Sequence, residues 1–281
     1  MKYIIIKGTC ESMLEIEDDS IGCVFTSPPY ALAKDYGSGE EDIGGSTDMN
    51  AYQEYLGKMK MVLGECYRVL KPGRVIGLNI ADIYQTDKLG TIKQPIRFDM
   101  FNLMRDIGFI YCDVIQWKKP DGMATQKRYG LFMQNPYPLY YRPNNVYEPI
   151  IVMKKPGTRH TMTKEEKDNN VMNTEKYKEF QFDIWKIHPE NHVDHPAPFP
   201  ILLPKIFFDL HSLKGETVLD PFLGSGTSLI AAKASGKSAI GFEINNKFIK
   251  LAKFRVGFNQ VELTNENEYI YKERAKALQK R

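Results

Sequence analysis

Cysteine is sparse: Cys10, Cys23, Cys66 and Cys112 are scattered through 281 residues, with no C-x-x-C pair. That pattern argues against a cysteine zinc site and a disulfide framework, and it fits a reducing cytoplasm. Long apolar runs are lacking as well. The opening "MKYIIIKGTCES" turns polar too soon for a secretory signal, and no stretch approaches the ~20 apolar residues of a membrane span, so a cytoplasmic protein with no membrane contact is expected. Neither sign of charge dominates. A net charge of +3 permits a polyanionic partner without demanding one. Two nucleotide fingerprints fail on counting. A G-x-G-x-x-G motif from Gly224 needs glycine at 229, where Leu229 stands; a Walker loop ending at Gly236–Ser238 needs one at 231, where Ala231 stands. His188, His192 and His195 are close together, but Pro189 and Pro196 break the helical spacing that a ligand pair needs, so no metal is expected.

What is present alternates between strand and helix patterns, which predicts an α/β architecture with a largely parallel sheet. "YIIIKG" and "IGCVFT" read as buried strands. Tyr55, Leu56, Met59, Val62, Leu63, Cys66, Val69 and Leu70 fall on one helical face, and Lys71–Gly73 ("KPG") stops that helix. "RVIGLNIADIY", "FIYCDVIQW" and "VYEPIIVMKKPG" continue the strand series, with a helix over 98–107. From about 158 to 194 the chain becomes polar with weak periodicity, which reads as an insertion and not as sheet framework. Order returns near 195 and runs to about 260. Residues 261–281 read as a charged terminal helix or a solvated end. The division is therefore 1–157, 158–194, 195–260 and 261–281.

Two stretches carry chemistry. In "IGCVFTSPPY" a strand stops at Ser27, Pro28 and Pro29, with Tyr30 directly after. Proline has no N–H and forces its predecessor toward extended backbone. The Ser27 and Pro28 carbonyls are thus candidates to accept hydrogen bonds from a ligand, although two prolines can also simply end a strand. In "VLDPFLGSGTSLIAAK", Gly224 and Gly226 sit between a strand and a helix, where glycine lets backbone approach a ligand. The following strand ends on Glu243, whose carboxylate could take both hydroxyls of a ribose. A nucleoside-bearing ligand without a diphosphate suits this better than a dinucleotide.

These residues resemble the beta class of amino-group DNA methyltransferases. "TSPPY" is similar to the family's catalytic tetrapeptide and "DPFLGSGT" with "GFE" to its S-adenosyl-L-methionine site. "RVLKPGRV", "LNIADIY", "VIQWKKP", "YEPIIVMKKP", "DIW" and "HPAPFPILLP" also match in order. The resemblance covers roughly residues 3–258. Two departures stand out: Thr9 where the family often has aspartate, which puts an adenine contact there in doubt, and Arg74 where a second glycine is common.

The resemblance implies a Rossmann-like fold with a seven-stranded sheet and permuted motif order. It implies that Asp220, Pro221, Phe222, Gly224, Ser225, Gly226, Thr227 and Glu243 hold S-adenosyl-L-methionine, with Phe199 packing near. Ser27 and the Ser27 or Pro28 carbonyl would take the protons of a base's exocyclic amine, and Tyr30 would stack on that base once flipped from double-stranded DNA. Residues 158–194 fall where the family carries target recognition. Lys34, Lys118, Lys119, Lys127, Arg128, Arg142 and Arg159, with interleaved aromatics, form a candidate DNA surface. Gly37–Gly45 is a candidate lid over the base. Serine in first place resembles the cytosine-N4 subgroup; adenine-N6 is the alternative, and a DNA- or RNA-binding module with a dead fold or an RNA or protein-amide methyltransferase lie further off. Carbon-5 chemistry is disfavoured, because Cys23 lies within a strand and no Pro-Cys dipeptide occurs. A cognate restriction endonuclease acting on the same site is the expected functional partner.

Overall fold

The computed structural model describes residues 1–29, 49–87, 90–120, 137–139, 145–189, 199–258 and 267–274. Its first strand, β1 (Lys2–Lys7), alternates its side chains between two cores: Tyr3 and Ile5 face one, Ile6 the other. β2 (Cys23–Thr26) does the same, with Cys23 and Phe25 opposite Val24. This double-faced burial is the pattern of a sheet covered on both sides.

The helix read between Asn50 and Leu70 is α1 (Met49–Val69), and Tyr55, Met59, Val62, Leu63, Cys66 and Val69 are all buried. It packs on one face of the sheet with α2 (Ile96–Ile107). The other face is covered by α5 (Leu202–His211), α6 (Thr227–Ala234) and α7 (Asn246–Val256). The remaining strands of the main sheet are β3 (Val75–Asn79), β6 (Ile110–Lys118), β7 (Tyr147–Lys154), β8 (Ile184–Lys186), β9 (Thr217–Asp220), β10 (Ser238–Glu243) and β11 (Glu268–Glu273). Two short helices, α3 (Lys164–Asn169) and α4 (Thr174–Tyr177), precede β8.

The sheet order is β11-β1-β10-β9-β2-β3-β7-β6-β8, and every pairing is parallel except those of β7. The expected seven strands form its centre; β8 and β11 extend it to nine. Both additions correct the sequence reading. Ile184–Lys186 joins the sheet from within the irregular 158–194 stretch because Trp185 is buried beside Trp117, with which it is in register. Three residues are too few for alternation to reveal. Likewise Glu268–Glu273 is a strand and not a terminal helix, held in parallel register on β1 and closed by Arg274. "RVIGLNIADIY" also proved to be two elements. β3 ends at Asn79, and β4 (Ile83–Asp87) pairs with β5 (Gly90–Gln94) as a separate antiparallel hairpin. Among the described residues, no helix is long and apolar enough to cross a membrane.

Candidate active site

Because the strands run parallel, their C-terminal ends collect at one edge of the sheet, where α/β folds form their clefts. β2, β9 and β10 are consecutive neighbours there, so Ser27–Pro29, the turn after Asp220, and Glu243 are brought side by side. The pairing of β2 with β3 stops at Thr26↔Leu78. Beyond it Pro28 is buried while Ser27 and Pro29 are partly exposed at the edge. Pro28 and Pro29 have no N–H to donate, so this turn presents carbonyl and hydroxyl acceptors.

Asp220 lies beneath the turn, only 1% exposed. Its Oδ1 accepts from Thr26 Oγ1 at 2.7 Å and from the Phe222 N–H at 3.0 Å, and its Oδ2 accepts from Ser228 Oγ. Burial pushes its carboxyl up to about 6 despite those three donors. Its three bonds make it the foundation of the turn. Gly224 (φ +53°) and Gly226 (φ +86°) take the left-handed backbone the turn requires. A Cβ on Gly226 would also come within 3.1 Å of Ala252 Cα, so the turn is seated directly on α7.

Ser225 and Thr227 are buried, and their side chains serve the turn itself. Arg255 on α7 donates through Nη1 to Ser225 O (2.9 Å), Ser225 Oγ (2.6 Å) and Thr227 Oγ1 (3.2 Å). Sequence reasoning missed Arg255, Thr26 and Ser228. A basic residue in the last turn of a helix reads as an ordinary complement to the helix dipole; Thr26 stands in the quoted "TSPPY" and Ser228 just after "DPFLGSGT", but neither motif says what their hydroxyls meet.

Glu243 differs from Asp220. Its Oε2 accepts from the Gly224 N–H (2.8 Å) and its Oε1 from the Asn245 N–H (2.7 Å), yet the residue stays partly exposed. Burial outweighs these two bonds and raises its carboxyl to about 7. A carboxylate has about four acceptor positions, so two remain for a diol. Pro221 is buried under the turn, Phe222 packs partly exposed above the α1–α2 core, and Phe199 meets the Phe25 ring edge-on at 5.8 Å. A glycine cradle, a diol acceptor and partly exposed rings form a donor set that fits a nucleoside-bearing cofactor.

Of the proposed DNA contacts, Lys118 and Lys119 lie at this same edge, at the end of β6. Lys119 is taken up by Glu148, with its ammonium 4.7 Å above the Trp117 ring. Lys118 shares with Lys186 and His188 the lining of a hollow of about 260 Å³. Arg159 stands apart from them. It follows β7, the antiparallel strand, and so sits at the opposite edge beside Arg74 and Lys214. Tyr30, Lys34, Lys127, Arg128, Arg142, His192, His195 and the 37–45 loop lie outside the described residues.

Comparison with known proteins agrees with this geometry. The N6_N4_Mtase DNA methylase family matches residues 21–254. The type II beta methyltransferase M.BslI of Bacillus sp. (strain NEB-606) is 30% identical over 262 residues; these cover 89% of this chain but 27% of that longer protein. A putative DNA modification methylase of Thermus thermophilus, solved in complex with S-adenosyl-L-methionine, superposes with a TM-score of 0.75 at 26% identity, covering 96% of this chain and 98% of that one. The cytosine-N4-specific PvuII DNA methyltransferase shares the fold, with a TM-score of 0.69 at 19% identity over 96% of both chains. The fold is that of S-adenosyl-L-methionine-dependent methyltransferases, and S-adenosyl-L-methionine is the cofactor. The chain belongs to the DNA methylase family.

Proposed function

We propose that this protein transfers a methyl group to the exocyclic amine of a base in double-stranded DNA, at cytosine N4 within a short specific sequence. The observation that carries this reading is the placement of Ser27–Pro29 at the end of β2, next to the glycine turn of β9 and one strand further from Glu243. Glu243 would take the ribose hydroxyls, the backbone at Gly224–Gly226 would lie against the ligand, and Phe199 and Phe222 would flank it. When bound, S-adenosyl-L-methionine would supply an electrophilic methyl group on a sulfonium, whose C–S bond breaks as the methyl is taken, leaving its electron pair on a neutral thioether sulfur.

An exocyclic amine is a poor nucleophile because its lone pair is delocalised into the ring. Ser27 Oγ and the Ser27 or Pro28 carbonyl accept its two N–H bonds, which lets the nitrogen become pyramidal and aim that lone pair. As the new N–C bond forms, the amine's surplus proton leaves through these acceptors to solvent. Positioning and charge stabilisation account for the rate, and no covalent enzyme intermediate is involved. Tyr30 would stack on the flipped base. Within residues 158–194 it is the end at Lys186–His188, beside Lys118 at the catalytic edge, that would contribute target recognition, since much of 159–177 lines the far-edge hollow. The assignment to cytosine N4 rests on serine in the first position of the tetrapeptide. The activity belongs to a restriction–modification pair in which methylation protects the site from a cognate endonuclease.

The test is methyl transfer from labelled S-adenosyl-L-methionine to unmethylated DNA, followed by digestion and nucleoside chromatography. Label in N4-methylcytosine is expected. Label in N6-methyladenine would overturn the base assignment and keep the mechanism, and label in 5-methylcytosine would overturn both.

A further inference from the structure

The ladder between β2 and β9 stops at Val24↔Leu219. Past that pair the two strand ends carry different halves of the site, the Ser27 acceptors on one and the cofactor turn on the other. Among the described residues, the bond from Thr26 Oγ1 to Asp220 Oδ1, at 2.7 Å, is what ties the two ends together beyond the ladder. Both residues are 1% exposed. The same carboxylate also holds the start of the turn through the Phe222 N–H and the start of α6 through Ser228 Oγ. Three segments therefore meet on one buried group. Valine fills this space in a buried strand equally well, and Thr26 instead places a hydroxyl where it has one use.

We propose that Thr26 is a positioning residue, whose hydroxyl on Asp220 sets the separation between the Ser27 acceptors and the cofactor turn. Thr26 itself is buried behind the site and touches neither substrate. Transfer between two bound groups depends steeply on their spacing, and a misplacement of about 1 Å can cost on the order of 100-fold. The bond therefore acts on the rate of the chemical step more than on the affinity for either ligand. The inference rests on the proposed role of Ser27.

The experiment compares single-turnover methyl transfer at saturating DNA and cofactor for Thr26→Val, Thr26→Ser and Ser27→Ala, with S-adenosyl-L-methionine affinity from calorimetry on the same preparations. Thr26→Val, which keeps the shape and deletes the hydroxyl, is expected to slow transfer about 10- to 100-fold and to leave cofactor affinity within about threefold. Thr26→Ser keeps the hydroxyl and is expected to recover most of the rate. Wild-type speed in Thr26→Val, a Thr26→Ser as slow as the valine variant, or a rate loss matched by an equal affinity loss would each overturn the proposal. If Thr26→Val does not fold, Thr26→Ala is read against Thr26→Ser, since that pair differs by the hydroxyl alone. Ser27→Ala separates the two ideas. A wild-type rate there overturns the Ser27 assignment, whereas a slow Ser27→Ala beside a fast Thr26→Val overturns the coupling alone.

Discussion

At the edge where the parallel strands end, the carboxylates of Asp220 and Glu243 are held by neutral donors; at the edge where they begin, those of Glu216 and Asp209 are held by cations. Asp220 rests on Thr26, Ser228 and a backbone N–H, and Glu243 on two backbone N–H groups. Across the sheet, Glu216 takes Arg74 at 2.8 Å and Lys71 at 3.2 Å, and Asp209 takes Lys205 and the Tyr177 hydroxyl, both at 2.6 Å. Burial acts the same way on Asp209 as on Asp220 and Glu243, and the partners decide the outcome. Burial alone would raise Asp209, yet Lys205 and Tyr177 hold it below its ordinary value. Asp220 and Glu243 have no such cation among the described residues and rise to about 6 and about 7. The far-edge pair is neutralised and structural, whereas Glu243 keeps acceptor capacity that a ligand's hydroxyls can meet.

The largest effect that sharpens this contrast is expected from Ser27→Ala. Removing one acceptor from a developing charge costs about 10²- to 10³-fold in rate in comparable sites, so kcat should fall by that order while the cofactor constant stays within about threefold. The matching change at the far edge, Arg159→Ala, should leave kcat unaltered. Steady-state kinetics on both variants checks the pair, and an equal loss in both would break the comparison.

Other carboxylates at the catalytic edge do take cations, as Glu148 takes Lys119. Glu15 is held by Arg274, whose Nε and Nη2 reach its two oxygens at 2.6 Å while Nη1 donates to Thr9 O at 2.7 Å. Burial would raise the Glu15 carboxyl, but the Arg274 bonds bring it below its ordinary value. Arg274 is buried while Glu15 is exposed, so removing the guanidinium costs less than breaking a fully buried pair. Arg274→Met is therefore expected to lose about 1–3 kcal/mol in urea unfolding. Loss near zero would show that β11 is dispensable and that the loop after β1 holds itself.

These contrasts mark how far the sequence could be read. The helical face of α1, the alternation of strands and helices, and the Ser27–Pro29 and Gly224–Gly226 turns were legible because each is a local pattern with its own geometry. Thr26, Ser228 and Arg255 were not, since their roles arise when distant segments meet; Thr26 and Asp220 are 194 positions apart. Asp220 was found by its motif, but its three partners were not, because a motif names the residue and not what its carboxylate meets. β8 was too short to show a period, and β11 is charged because much of its surface faces solvent.

Glu243 gives the next effect, and its sign follows from its raised carboxyl. A folded value near 7 lies above the ordinary 4.5, so this group's contribution to stability is full below about 4.5 and fades as pH rises through 7. Cofactor affinity runs the other way, because the ionised form accepts ribose hydroxyls. Between pH 6 and pH 8 the ionised fraction climbs about tenfold, and affinity should strengthen by up to that factor. Glu243→Gln should bind about tenfold more weakly at pH 8 and lose most of the slope above pH 7, where Asp220 is already about nine-tenths ionised. Calorimetry across that range decides. A slope that survives in the glutamine variant would move the titrating group elsewhere.

The smallest effect tests why cations contiguous in sequence are divided in space. Lys118 and Arg159 belong to one basic stretch, but β7 lies between them and runs against its neighbours, carrying the chain from one edge to the other. Lys118 and Lys186 are register partners at the catalytic edge, whereas Arg159 and Lys214 line a hollow of about 480 Å³ at the far one. A duplex lying over the catalytic edge releases counterions for the first pair and none for the second. Each phosphate contact contributes about 0.9 to the slope of log affinity against log salt. Lys118→Ala with Lys186→Ala should therefore flatten that slope by up to ~2, and Arg159→Ala with Lys214→Ala should leave it unchanged. Fluorescence anisotropy over a salt series reads both. A flatter slope in the second pair would mean that the DNA path wraps past β7, and would join the two edges into one surface.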